Sequence, residues 1–187
     1  MSHNHIDRPR HDHRGKTSES LVDKKEVLRV LDIKEGQTIL DAGCGDGYMA
    51  KEFAERVEST GKVYALDVDE IAIENLRKTA GTDIIKPVIG DISTGTSLEE
   101  SSMDLIYISN VLHGFSESQM AGFARETRRL LKTGGILAIL ELKKEEMPFG
   151  PPINIRLSPG ELKEKLPLKP KDTIDIGNYL YLQLLEK

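Results

Sequence analysis

Two kinds of apolar patterning alternate along the chain. Short continuous runs occur at 38–42 (TILDA), 62–67 (KVYALD), 84–89 (IIKPVI), 103–108 (MDLIYI) and 136–142 (ILAILEL). They are rich in Ile, Leu or Val with little strict alternation, the pattern of strands covered on both faces. Between them apolar residues return at helical spacing. Leu21, Val27, Leu28 and Leu31 share one face, ending near Lys34-Glu35-Gly36; Met49, Phe53, Ala54 and Val57 form a second stripe; Ala72, Leu76 and Ala80 form a third. The clearest helix covers 116–132, with Met120, Phe123, Ala124, Thr127, Leu130 and Leu131 on one side. Ser116 and Gln119 stand at capping-box spacing at its start, and Gly134-Gly135 predicts its stop. Ser158-Pro159-Gly160-Glu161 announces a further short helix with proline at its first position. The chain closes with DTIDI, Gly177-Asn178 and YLYLQLLEK, which reads as two strands joined by a turn pair.

Strand–helix alternation followed by a hairpin predicts a doubly wound α/β domain. Its seven-stranded, mostly parallel sheet would end in an antiparallel β-hairpin. Ligands of such sheets sit outside the carboxyl ends of the strands, at the point where strand order reverses. No repeat or linker divides residues 20–187, which are expected to form a single domain. Residues 1–19 are polar and charged and almost lack apolar side chains, which predicts a flexible N-terminal arm.

Composition narrows the function classes. The formal charge of the 187 residues is −5, with Lys and Arg spread among Asp and Glu. A phosphate-binding surface needs a clustered basic face, so a nucleic-acid partner is not expected. The apolar runs are too short to span a bilayer, and the N-terminus lacks the apolar stretch of a secretory signal. Cys44 is the single cysteine, which excludes an internal disulfide and suits a reducing compartment; the expected location is the cytoplasm.

The chemistry concentrates at the strand ends. The first strand runs into Asp41-Ala42-Gly43-Cys44-Gly45-Asp46-Gly47 and then a helix. Glycines at alternate positions let the backbone turn tightly and bring its N–H groups close to a ligand. The second strand ends at Asp67, where an acidic side chain can accept both hydroxyls of a ribose. The third ends at Gly90-Asp91-Ile92 and the fourth at Ser109-Asn110-Val111, on the same rim. A nicotinamide dinucleotide would want G-x-G-x-x-G for its pyrophosphate. The spacing here is G-x-G-x-G, and Asp41 would repel phosphate while welcoming the ammonium of an amino-acid moiety. No Tyr-x-x-x-Lys pair exists in the chain. S-adenosyl-L-methionine, with an ammonium, a sulfonium, a ribose and an adenine, matches Asp41, Asp67 and Asp91.

ILDAGCGDGYMA, VYALDVD, VIGDI, DLIYISNVLHGF and RRLLKTGGILAIL resemble, in order, the blocks of class I S-adenosylmethionine-dependent methyltransferases. The likeness covers about residues 20–187 and is strongest to the branch containing ubiquinone- and menaquinone-biosynthesis enzymes. It implies a Rossmann-like methyltransferase fold. It also implies that Asp41, Gly43, Cys44 and Gly45 hold the methionine end of the cofactor, that Asp67 holds the ribose, and that Val68 packs on the adenine. Asp91 would accept from the adenine amino group, the Ile92 N–H would serve a ring nitrogen, and the Asn110 backbone would help close the pocket. Relatives often carry a bulkier insertion after the fifth strand. Here only Lys143 to Leu157, through the MPFGPP stretch, joins that strand to the next helix. A substrate lid must come from this loop, from the arm at 1–20, or from a second subunit, so a homodimer stays open.

His113 follows the fourth strand on the rim where an acceptor would lie; it is the candidate general base, against a positioning role. Cys44 reads as a small filler of the loop, since no base adjoins it in sequence. His3, His5, His11 and His13 have metal-site spacings but fit a solvated arm better, and no metal is expected. Glu141 is left open between substrate and solvent. The expected activity is methyl transfer to an O, N or C nucleophile of a small, partly apolar metabolite. The alternative is a cofactor-binding domain without transferase activity, a sensor or subunit.

Overall fold

A computed structural model describes residues 22–187. The expected arm at 1–19, with His3, His5, His11 and His13, lies outside the described residues. Seven strands, β1 (Thr38–Ala42), β2 (Lys62–Asp67), β3 (Ile85–Ile89), β4 (Met103–Ser109), β5 (Leu131–Leu142), β6 (Lys169–Ile176) and β7 (Leu180–Glu186), form one sheet in the order β3-β2-β1-β4-β5-β7-β6. All neighbours pair in parallel except β7, which runs antiparallel to both β5 and β6.

Successive side chains leave a strand on opposite faces, so each central strand feeds two cores. Ile39, Val63, Tyr107, Leu140 and Leu182 meet α1 (Lys24–Leu31), α2 (Tyr48–Val57) and α3 (Glu70–Thr79) through Val27, Phe53 and Leu76. Leu40, Leu66, Ile106, Ile139 and Leu185 meet α4 (Glu117–Leu130) and α5 (Pro159–Lys165) through Phe123, Leu130 and Leu162. The capping box read at Ser116 and Gln119 is formed, and the helix start announced at Ser158 carries a second one. Ser116 pairs with Gln119 at the start of α4, and Ser158 pairs with Glu161 at the start of α5.

Two expectations are corrected. Gly134-Gly135 does not end the long helix: α4 stops at Leu130, and Leu131 is already paired with Met103. The glycines lie in an irregular stretch of β5, where the register shifts between Met103 and Leu105. A Cβ on Gly135 would come within 2.9 Å of the Met103 and Lys132 carbonyl oxygens, so close strand approach explains this residue. The hairpin turn is also longer than a pair. Ile176 faces Leu180, leaving Gly177, Asn178 and Tyr179 in the loop, with Gly177 at φ 59°.

From β1 the chain steps outward to β2 and β3, then returns to β4 on the other side of β1. The reversal opens a crevice between the carboxyl ends of β1 and β4, where a doubly wound sheet binds its ligand. The Asp41–Gly47 loop and Asn110 border that crevice.

Candidate active site

Three glycines of the first loop have left-handed backbone: Gly43 (φ 74°), Gly45 (φ 54°) and Gly47 (φ 77°). The expectation that their N–H groups reach for a ligand is corrected. Gly43 and Cys44 donate to the Leu66 carbonyl at 2.7 and 3.1 Å, and Gly47 donates to the Cys44 carbonyl at 2.9 Å. Gly45 donates to Asp67 Oδ2 at 2.8 Å. The loop spends these donors on β2 and on itself, which fixes its shape. A Cβ on Gly43 would lie 2.8 Å from Val111 Cγ2, and one on Gly47 2.6 Å from Leu76 Cδ1, whereas one on Gly45 would meet nothing within 4 Å. Gly43 and Gly47 are therefore packing requirements, and Gly45 faces open space.

Asp41 sits at the end of β1, 3% exposed, and its Oδ2 has no hydrogen-bond partner among the described residues. Burial, reinforced by repulsion from Asp67 and Asp46, pushes its carboxyl up to about 7, against the pull of the Ala50 N–H. A cation beside it would relieve both effects. The Cys44 thiol is raised far above its usual range by burial and by the neighbouring carboxylates Asp41 and Asp67, which disfavours the nucleophilic thiolate.

Asp67 ends β2. Its Oδ2 accepts from Gly45 and its Oδ1 from the Asp69 N–H at 2.9 Å. Each oxygen retains a second lone pair for a ribose hydroxyl. Val68 follows, 66% exposed, an apolar surface available to a flat ring. Beyond β3, Asp91 Oδ1 accepts the Ser93 N–H at 2.8 Å, while the Ile92 side chain is buried on the α4 side of the sheet. Asn110 closes β4 in a left-handed conformation (φ 54°). Its N–H donates to the Leu140 carbonyl at 2.8 Å, and its buried Oδ1 has no hydrogen-bond partner among the described residues. The structure thus brings Asp41, Gly43, Cys44, Gly45, Asp67, Val68, Asp91, Ile92 and Asn110 to one rim at the carboxyl ends of β1 to β4. An amino-acid ammonium suits Asp41, a ribose suits Asp67 and an adenine suits Val68 with Asp91, so the residues fit S-adenosylmethionine.

His113 lies on a short 3-10 turn, Leu112–Gly114, which Val111 joins to Asn110. Its Nδ1 is 2.9 Å from Glu141 Oε2, and Glu141 Oε1 accepts the Leu112 N–H at 2.8 Å. Glu141 is only 1% exposed and stands on β5. A carboxylate only accepts, so Nδ1 is the donor in this contact, and Nε2 is the nitrogen that holds the lone pair in the neutral imidazole. The sequence left Glu141 open. The one signal was an acidic residue inside an apolar strand, which cannot be buried without a partner.

The segment after β5 is built around Arg156, which sequence reasoning missed. Its guanidinium, in a residue 4% exposed, donates to four backbone carbonyls: Pro151 (2.8 Å), Glu145 (2.8 Å), Phe149 (2.9 Å) and Lys143 (3.3 Å). Phe149 packs edge-on against Tyr179, with ring centroids 4.9 Å apart. A hollow of about 320 Å³ opens beside Met147, Phe149, Pro152 and Arg156. The expected lid material therefore forms a tied wall.

Comparison with known proteins gives the family of the chain. Residues 39–135 match the family described as "Methyltransferase domain". A demethylmenaquinone methyltransferase of Staphylococcus aureus (strain MRSA252) is 30% identical over 126 residues, covering 67% of this chain and 51% of the relative. A ubiquinone/menaquinone biosynthesis C-methyltransferase of Hydrogenovibrio crunogenus is 31% identical over 129 residues, covering 67% and 50%. The chain spans about half the length of these curated relatives. The crystal structure of a SAM-dependent methyltransferase from Aquifex aeolicus superposes with a TM-score of 0.80 at 28% identity, covering 90% of this chain and 91% of that one.

Proposed function

Because this chain belongs to the class I S-adenosylmethionine-dependent methyltransferases, we propose that it transfers a methyl group to an O, N or C nucleophile of a small, partly apolar metabolite. When bound, S-adenosylmethionine supplies an electrophilic methyl group on a sulfonium. The observation that carries the reading is Asp41, a buried carboxylate at the crevice with one oxygen unpartnered among the described residues. It suits the ammonium of an amino-acid moiety and would repel a phosphate.

In this reading Asp41, with carbonyl oxygens of the Gly43-Cys44-Gly45 loop whose amides are already engaged, holds the methionine end. Asp67 accepts the ribose hydroxyls, and Val68 covers one adenine face. Asp91 and the Ile92 N–H meet the adenine edge, while Asn110 closes the crevice. Much of the rate enhancement comes from alignment and exclusion of water. His113, its imidazole oriented by Glu141, removes a proton from the attacking hydroxyl, amine or activated carbon through Nε2. A sensor or subunit without transferase activity would have no use for an imidazole set in one tautomer by a buried carboxylate.

The acceptor class follows from the surroundings. The wall beyond β5 offers Met147, Phe149, Pro151, Pro152 and Ile153, and the chain has no basic stripe for a nucleic acid. The two bacterial relatives are named for quinone biosynthesis, and a quinone ring suits such an apolar wall. Among the described residues no helix is long and apolar enough to cross a membrane.

Titration calorimetry tests the cofactor half of the reading. S-adenosylmethionine and its demethylated product should bind at micromolar levels and NAD should not. NAD binding without S-adenosylmethionine binding would overturn it.

A further inference from the structure

Away from the crevice, α4 meets the segment after β3 more closely than ordinary packing allows. A Cβ built on Gly122 would lie 1.8 Å from the Ser93 carbonyl oxygen and 2.9 Å from its carbon. The helix therefore rests directly on the Ser93 peptide, and any side chain at 122 would force the segment away. One turn further along α4, Glu126 is 6% exposed. Its Oε1 accepts both the Thr96 N–H (2.8 Å) and the Thr96 hydroxyl (2.7 Å). Arg129 completes the clamp. It pairs with both Glu126 oxygens at 2.7 and 2.9 Å, and its Nη2 donates to the carbonyls of Leu98 (2.9 Å) and Thr96 (3.2 Å).

The clamped stretch begins where Asp91 ends. Ser93, held under Gly122, gives its N–H to Asp91 Oδ1, and Thr94 gives both its N–H (3.0 Å) and its hydroxyl (3.1 Å) to the Asp91 carbonyl. A continuous chain of contacts thus runs from α4 through Ser93 and Thr96 to the Asp91 carboxylate. Ion pairs that leave water contribute little net stability compared with apolar packing of the same volume. What this one adds is a fixed geometry. Charge-assisted bonds to backbone atoms hold a short irregular segment that has no helix or strand of its own.

We infer that Glu126 and Gly122 are positioning residues for recognition of the adenine ring: they hold Ser93–Thr96 against α4 so that Asp91 keeps Oδ1 on Ser93 and presents Oδ2 to the exocyclic amino group. The inference rests on the proposed role of Asp91 and adds what aims it. It also ties both halves of the site to one helix, since Ser116, the N-cap of α4, lies three residues after His113.

The test compares S-adenosylhomocysteine with S-inosylhomocysteine, in which a carbonyl oxygen replaces the amino donor. The unaltered protein should prefer the adenine form by about tenfold or more, the worth of a charge-assisted hydrogen bond. Glu126→Gln removes the charge from the clamp, and Gly122→Ala pushes the segment sterically with the clamp intact, so each reaches Asp91 independently. Either variant, shown by thermal melting to be folded, should lose most of that preference. Its KM for S-adenosylmethionine should rise while kcat at saturation holds. A folded variant of either kind that binds both compounds more weakly but keeps the ratio, or that binds as the unaltered protein does, overturns the inference. So does an unaltered protein that binds both compounds equally. Failure of the unaltered protein to bind S-adenosylhomocysteine at all would instead overturn the proposed function beneath it.

Discussion

Glu141 Oε2 and His113 Nδ1 are 2.9 Å apart, joining the middle of the sheet to the turn that follows β4. The other Glu141 oxygen holds the Leu112 N–H of the same turn, so one buried carboxylate sets both the backbone and the imidazole. That pairing gives His113 Nε2 a fixed direction. If it is the base, His113→Ala should lower turnover about 10²-fold with little change in cofactor affinity. Glu141→Gln retains the shape but loses the charge, and should move the pH–rate profile as well as the rate. An unchanged profile in Glu141→Gln would reduce Glu141 to a structural buttress.

If Asp41 holds the ammonium of the cofactor, as proposed, binding should depend on pH. Its folded-state carboxyl holds its proton to about 7, and an ammonium ligand favours the ionised form. Affinity should therefore fall as pH drops below about 7, by up to tenfold per unit, and Asp41→Asn should flatten the curve. Stability of the unliganded protein runs the other way. The unfolded chain releases this proton near 3.8 and the folded chain near 7, so the folded state binds more protons in between. Its stability falls as pH rises through that window. Calorimetric affinity and thermal melts from pH 5 to 8 would show both trends or neither.

Asp67→Ala should cost about 2–4 kcal/mol of cofactor affinity through the lost ribose acceptors. The same change strips Gly45 and Asp69 of their acceptor, so the glycine loop should exchange its amide hydrogens faster while the sheet stays protected. Full affinity with a loosened loop would mean that the ribose is held elsewhere.

Arg156→Leu would leave four carbonyls of the post-β5 wall without their donor. We expect a loss of about 2–4 kcal/mol in stability and new protease cleavage between Glu145 and Pro151. A melt and a cleavage pattern identical to those of the unaltered protein would show that the wall stands without Arg156.

The sequence made the sheet legible because its strands are buried on both faces, so runs such as ILDA and LIYIS carry the signal alone. Ser116–Gln119 and Ser158–Glu161 likewise announced two helix starts through bonds made within one turn. Asp41, Asp67 and Asp91 stood out because strand ends place polar groups at predictable offsets. What stayed hidden depends on partners distant in the chain. Glu141 finds His113 across two strands, Glu126 finds Thr96 thirty residues away, and Gly135 is explained only by the approach of Met103. The internal use of the glycine-loop amides is hidden for the same reason, because Leu66 and Asp67 come alongside only once β1 and β2 have paired.

The most direct measurement is mass spectrometry of a metabolite extract incubated with the purified protein and methyl-labelled S-adenosylmethionine. Methyl transfer should mark at least one small, partly apolar compound, that labelling should drop about 10²-fold with His113→Ala, and added tRNA, DNA and protein should remain unlabelled. Label confined to a macromolecule, or cofactor binding with no labelled product from any extract, would contradict the assignment of this chain as a small-molecule methyltransferase.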